Sequence, residues 1–254
     1  LKISIITTTF NSSSFIDDCL KSVKDQNYDN VEHIIIDGAS TDGTLSILES
    51  KRKQLAVLVS EPDNGIYDAM NKGIKIATGD IIGFLNSDDF YATKEVISRV
   101  ATVFKDEPSL EACYADLIYI DRIDTSRNIR YWKSSKFIPG SFSKGWSPPH
   151  PTFFSRRSVY ERFGSFNLNY HIASDIELMM RFLEVNTINI NYIPEIWVKM
   201  RMGGLSNKSL KNIIKLNKEI LSALKSHNLP KNLFSFFSHK IISRAKQFLQ
   251  KPSN

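Results

Sequence analysis

Asp80-Ile81-Ile82-Gly83-Phe84-Leu85-Asn86-Ser87-Asp88-Asp89 is an apolar run that stops abruptly in an acidic one. Residues 81–85 show no polar face, which is the pattern of a strand covered on both sides. Such a strand belongs to a parallel sheet, and parallel sheets bind ligands at the carboxyl ends of their strands. Toward the N-terminus the pattern recurs: β-branched runs at 3–8, 31–36 and 55–60 alternate with helix-like stretches. In the first of these stretches Ser12 to Ser14 offer N-cap hydroxyls, and Phe15, Cys19, Leu20 and Val23 follow helical spacing. Further helices are expected over 41–53 and 67–78.

This alternation predicts an α/β fold, with a mostly parallel central sheet, right-handed crossovers and flanking helices. Four polar strand ends then share one rim: Thr7-Thr8-Thr9 with Asn11, Asp37-Gly38, Glu61-Pro62-Asp63-Asn64-Gly65, and Asn86-Ser87-Asp88-Asp89. Each alone reads equally well as a turn, because Asp-Gly and Asn-Gly favour turns. Their convergence is harder to explain by turns. The first strand–helix turn, Thr9-Phe10-Asn11-Ser12-Ser13-Ser14, has no glycine. A dinucleotide fold needs glycines there so that backbone can approach a pyrophosphate. A diphosphate at this rim must be neutralised differently, and Asp88-Asp89 supplies hard oxygen ligands for magnesium or manganese.

Bulk properties narrow the class. The 254 residues, 42% hydrophobic and 24% charged, suit one large domain with an appendage. Cys19 and Cys113 lack CxxC spacing, which argues against a disulfide framework or thiolate zinc site and for a reducing compartment. No apolar run approaches the roughly 20 residues of a membrane span, and residues 1–10 read as a strand rather than a secretion signal. A cytoplasmic location is expected. In residues 205–254, ten Lys/Arg face one acid, Glu219, so this tail carries +9 of the formal +6 and residues 1–204 carry −3. That asymmetry predicts an anionic partner for the tail; without a nucleic-acid-binding motif, no nucleic-acid partner is expected.

Ser4-Ile5-Ile6-Thr7-Thr8-Thr9-Phe10-Asn11, Ile36-Asp37-Gly38-Ala39-Ser40-Thr41-Asp42-Gly43-Thr44 and Gly79 through Asp89 together resemble the family 2 glycosyltransferases of the bacterial surface-polysaccharide or O-antigen type. The resemblance covers about residues 2–205. It implies the GT-A nucleotide-diphospho-sugar transferase fold and an inverting reaction. Carried over by position, Thr8 and Asp37 contact the nucleoside of a UDP-sugar, Asp37 at the uracil edge, and Asn71 lines the same pocket. Asp88 matches the last acid of the family's DxD motif and ligates the Mn2+ or Mg2+ that bridges the diphosphate, with Asp89 as a second ligand. Asn86 stands where that motif begins with aspartate, which leaves an amide for a ribose hydroxyl.

His171-Ile172-Ala173-Ser174-Asp175-Ile176-Glu177 fits the segment where the family places its catalytic base. Asp175 is the expected base and Glu177 the reserve, although Ser174-Asp175 also reads as a helix start. His150 faces the donor phosphates or the acceptor, or is structural; Trp146 stacks on a sugar ring or joins the core. Arg201-Met202-Gly203-Gly204-Leu205-Ser206 resembles the loop that closes over a bound donor, with Arg201 on a phosphate.

The expected organisation is a catalytic domain over 1–206, with a nucleotide-binding half at 1–90 and an acceptor half at 91–206, then a basic tail at 207–254. Two amphipathic helices are expected there, over 210–225 and 233–250. In the second, Phe234, Phe237, Ile241, Ala245 and Phe248 form a stripe beside Lys240, Arg244 and Lys246. That stripe fits either an interfacial helix on anionic lipid or a helix packed on the domain. The activity implied is transfer of a hexose or N-acetylhexosamine to a polyprenyl-diphosphate-linked saccharide at the inner membrane face, in polysaccharide or lipopolysaccharide biosynthesis. The competing reading is an inert, membrane-associated module that keeps a nucleotide-sugar pocket.

Overall fold

In the computed structural model, which describes residues 1–203 and 209–249, Ile34 and Ile36 enter one core and Ile35 the other. That alternation is the period of two of a strand buried on both faces. The first half of the chain runs β1 (Ile3–Thr9), α1 (Ile16–Lys24), β2 (Val31–Asp37), α2 (Thr44–Ser50), β3 (Val57–Ser60), α3 (Ile66–Ile76) and β4 (Ile81–Phe84). The strands pair in the order β3-β2-β1-β4, all parallel. Their polar carboxyl ends therefore share one rim, as expected.

The second half adds β5 (Phe90–Tyr91), α4 (Val96–Asp106), β6 (Ala112–Ile120), β7 (Asn128–Trp132), β8 (Phe154–Arg156), α5 (Arg157–Phe163), α6 (Ser174–Met180), β9 (Ile190–Arg201), α7 (Leu210–Ser226) and α8 (Leu233–Leu249). The same sheet continues as β4-β8-β6-β9-β5, with β7 on β6. Here β4 and β8, β8 and β6, β6 and β7, and β5 and β9 pair antiparallel, while β6 and β9 pair parallel. One mixed sheet thus crosses both halves of the chain.

Local differences have local causes. α1 starts at Ile16 with no side-chain cap; the Ser12 hydroxyl is held instead by Ser87 at 2.9 Å. α2 is shorter than its sequence pattern, because Gly43 enters it at φ 97° and a 3-10 turn follows at Arg52–Gln54. α7 packs Ile220, Ala223 and Leu224 into the core. α8 docks by Phe236, which is 0% exposed, while its expected stripe points outward, with Phe234 at 85% and Ile241 at 70%. The anticipated closing loop beyond Gly203 lies outside the described residues.

Candidate active site

The four parallel strand ends open onto a cleft of about 1500 Å³. β1 delivers Thr8, whose buried Oγ1, like that of Thr9, has no hydrogen-bond partner. An unsatisfied buried hydroxyl is costly unless a ligand completes it. Asn86 and Asp88 line the cleft just past β4. Burial raises the Asp88 carboxyl above the usual carboxylate range, against the opposing pull of Arg122 and Arg201.

Asp89 does not line the cleft. It is fully buried, accepting from the Asn86 amide at 2.9 Å and from the Arg201 backbone N–H at 3.0 Å. Burial, then the neighbouring Asp88, pushes its carboxyl well up. The expected second metal ligand is a strut, because Asn86 and the Arg201 backbone hold its carboxylate inward while Asp88, in the turn before β5, lines the cleft. Adjacent acids strained in this way are what a divalent cation relieves. Among the described residues no group of three or more His, Cys, Asp or Glu side chains converges. The donor set therefore fits a cation that uses one protein carboxylate and takes its other ligands from substrate phosphates and water.

Three further expected ligand contacts also turn inward. Asp37 is 0% exposed; its carboxylate accepts from the Ser40 N–H at 3.0 Å, the Ser40 hydroxyl at 2.5 Å and the Ser60 hydroxyl at 2.6 Å. It ties β2 to β3 instead of facing a base. Asp63, from the 61–65 cluster, lines the cleft in its place. A Cβ on Gly38 would lie 2.6 Å from Asp63 Oδ2, so that glycine is what admits the carboxylate. Asn71 exchanges two 2.9 Å bonds with the backbone of Phe166 and clamps α3 to the segment before α6. Arg201 is buried, donating to the carbonyls of Asp88 at 2.6 Å and Arg122 at 3.2 Å and to the Asp18 carboxylate. Phe15 and Phe90 flank its guanidinium, each 5.1 Å away. Arg122, which no sequence motif flagged, lines the cleft and pulls on Asp88.

Asp175 sits in the first turn of α6 and lines the cleft. Its Oδ1 accepts from the Tyr67 hydroxyl at 2.9 Å and its Oδ2 faces His150 Nδ1 at 3.1 Å. Burial lowers His150, which Asp175 partly opposes, so a neutral imidazole donating from Nδ1 fits this contact. The reserve, Glu177, is 2% exposed and spent on Arg181 at 3.0 Å and His227 at 2.8 Å. It anchors α6 to the end of α7. Tyr67, also missed by sequence, is held by stacking on Phe166 at 5.4 Å. Trp146 packs with Tyr114, Phe137 and Phe142, as one of its two expected roles required, and it also lines the cleft.

A parallel half ending at an acidic strand terminus, continued by a mixed half across one cleft, defines a GT-A sugar transferase. Two solved structures share the fold. S. aureus TarS 1-349 in complex with UDP-GlcNAc matches 98% of this chain and 72% of its own, at TM-score 0.71 and 20% identity. The mannosyltransferase PcManGT from Pyrobaculum calidifontis, in complex with GDP-Man and Mn2+, matches 99% and 81%, at TM-score 0.62 and 18% identity. The glycosyl transferase family 2 model matches residues 4–172, and the chain belongs to that family. A "PGL/p-HBAD biosynthesis glycosyltransferase" of Mycobacterium bovis is 31% identical over 209 residues, 80% of this chain and 78% of that one.

Proposed function

We propose that the chain is an inverting, metal-dependent transferase that moves a hexose or N-acetylhexosamine from a UDP-sugar to a lipid-linked saccharide during bacterial polysaccharide or lipopolysaccharide synthesis. The observation that carries this reading is the pairing of Asp88 and the Asp175–His150–Tyr67 group on one cleft. Residues 1–90 form its donor half, 91–206 its acceptor half and 207–254 its membrane-facing tail. UDP-GlcNAc in the S. aureus neighbour and Mn2+ in the archaeal one agree with this donor and cofactor class.

In this mechanism the orphaned Thr8 hydroxyl and Asp63 meet the nucleoside, and Asn86 meets a ribose hydroxyl. Asp88 holds the cation, with Arg122 beside the diphosphate. The cation, Mn2+ or Mg2+, supplies charge neutralisation for the leaving group. Tyr67 and His150 fix the Asp175 carboxylate, which takes the proton of the acceptor hydroxyl. That oxygen bonds to the anomeric carbon as the bond to the diphosphate breaks, and the electron pair leaves with UDP. Direct displacement by one base, with no covalent intermediate, inverts the carbon.

At the membrane end, α8 exposes Phe234, Ile241 and Phe248 beside basic residues. No helix among the described residues is long and apolar enough to cross a membrane. That surface supports peripheral attachment to an anionic membrane, which this reading puts at the inner face. Nucleoside-diphosphate release across a donor panel, with and without Mn2+, tests the activity. The expected result is release from one UDP-sugar, abolished by chelator; silence with every donor overturns it.

A further inference from the structure

Arg130, on β7, is 6% exposed and lines the cleft, yet among the described residues its Nε has no hydrogen-bond partner. Its guanidinium lies 3.7 Å from the Tyr119 ring centroid. A buried charge is normally paired, because desolvation otherwise goes uncompensated. Among the described residues the groups acting on Arg130 are Tyr119, which also hydrogen-bonds its guanidinium, and another cation, Arg244 of α8. Burial first and Arg244 second also push the Lys240 ammonium down to about 8. Lys240 donates to the neutral Asn217 amide at 2.7 Å.

The fold brings these cations together by design of the backbone. Gly145 lies at φ 75°, and a Cβ there would meet Lys240 Cγ at 2.7 Å and the Phe236 carbonyl at 3.0 Å. Only a residue without a side chain lets α8 close this tightly. Arg122 and Arg201 are the cations that pull on Asp88, whereas Arg130 and Arg244 act on Tyr119, which also feels Asp89. Beside the three cations, Phe237, Ile241 and Ile242 line the same cleft while remaining exposed. A concentrated positive charge with an adjoining apolar strip is complementary to an anion attached to an aliphatic chain.

We propose that Arg130, Lys240 and Arg244 form a second anion site, at the α8 end of the cleft, for the phosphate or diphosphate that joins a saccharide acceptor to its lipid. The lipid lies along Phe237, Ile241 and Ile242, and the saccharide extends into the cleft toward Asp175. This site rests on the transferase reading above and makes the acceptor's phosphoryl linkage, rather than bulk membrane charge, the recognised group.

The test uses the full chain, with two titrations. In the first, phosphatidylcholine vesicles carry either a polyprenyl diphosphate or charge-matched phosphatidylglycerol. In the second, UDP with Mn2+ is titrated alone. The chain is expected to prefer the polyprenyl-diphosphate vesicles ~10-fold, and Arg130→Gln and Arg244→Gln each to abolish that preference while UDP affinity stays within about twofold. Equal binding to phosphatidylglycerol, a preference retained in both variants, or a parallel loss of UDP affinity overturns the site. Arg244 is exposed, so its variant keeps the test decisive if Arg130→Gln fails to fold by circular dichroism. If the unaltered chain binds no UDP, the transferase reading fails separately, and the vesicle titration still judges the anion site.

Discussion

At the donor end of the cleft Arg201 is fully committed: Asp18, two carbonyls and two aromatic rings surround its guanidinium. At the α8 end Arg130 is as deeply buried, but among the described residues two rings, the Tyr119 hydroxyl, an orphaned Nε and one further cation, Arg244, are its surroundings. The contrast separates two uses of a buried positive charge. Arg201 completes the scaffold, fixing the strand end that presents Asp88. Arg130 is incomplete in the protein alone, which is the condition of a group that an incoming anion satisfies.

The sharpest way to break this contrast is to remove each charge and compare stability. Arg201→Met strands two carbonyl acceptors and leaves Asp88 without its nearest anchor, and is expected to cost about 3 kcal/mol in urea unfolding. A loss under about 0.5 kcal/mol would mean that Arg201 is not the scaffold piece described here. A second effect, smaller than that of Arg201→Met over the first pH units below 6.5, concerns the parallel sheet, where His33 touches the Thr7 hydroxyl at 3.0 Å. Burial pushes His33 down to about 3 from its usual 6.5, so the folded chain keeps it neutral. The unfolded chain binds a proton as pH falls through 6.5, and its folded-state penalty grows by up to about 1.4 kcal/mol per pH unit toward 3. Relative to His33→Gln, the unaltered chain should therefore lose stability in that window; parallel stability–pH curves would contradict it. The smallest effect belongs to Arg130→Gln, which should change ligand-free stability by no more than about 1 kcal/mol, in either direction, because it relieves repulsion while losing contacts. A loss matching that of Arg201→Met would erase the comparison.

The two halves of the molecule were not equally legible in the sequence. β1, β2 and β4 stand out because both faces are buried, so their residues are apolar almost without interruption. β5 spans Phe90–Tyr91 and β8 spans Phe154–Arg156, and strands that short exist only because neighbours in space pair with them. β5 and β8 therefore left no periodic signal. Within the site, motif position located the right segments, but the direction of each side chain was set by tertiary partners. Asp88 lines the cleft whereas Asp89 holds Arg201; Asp63 lines it whereas Asp37 binds Ser40 and Ser60. Tyr67 and Arg122 carry no local signature, since what makes them notable is a contact 108 residues away for Tyr67 and the wall opposite Asp88 for Arg122. The outward face of α8 was legible as an amphipathic stripe, but its anchor, Phe236, lies off that stripe.

The proton acceptor is the centre of the account, and Asp175→Asn tests it most directly. The variant keeps the shape of the carboxylate and a partner for Tyr67, but not the basicity. With the donor identified, sugar transfer should fall ~10^2- to 10^4-fold while the affinity for UDP with Mn2+ stays within about twofold. Transfer that survives Asp175→Asn within twofold would contradict the account and move the base elsewhere in the cleft.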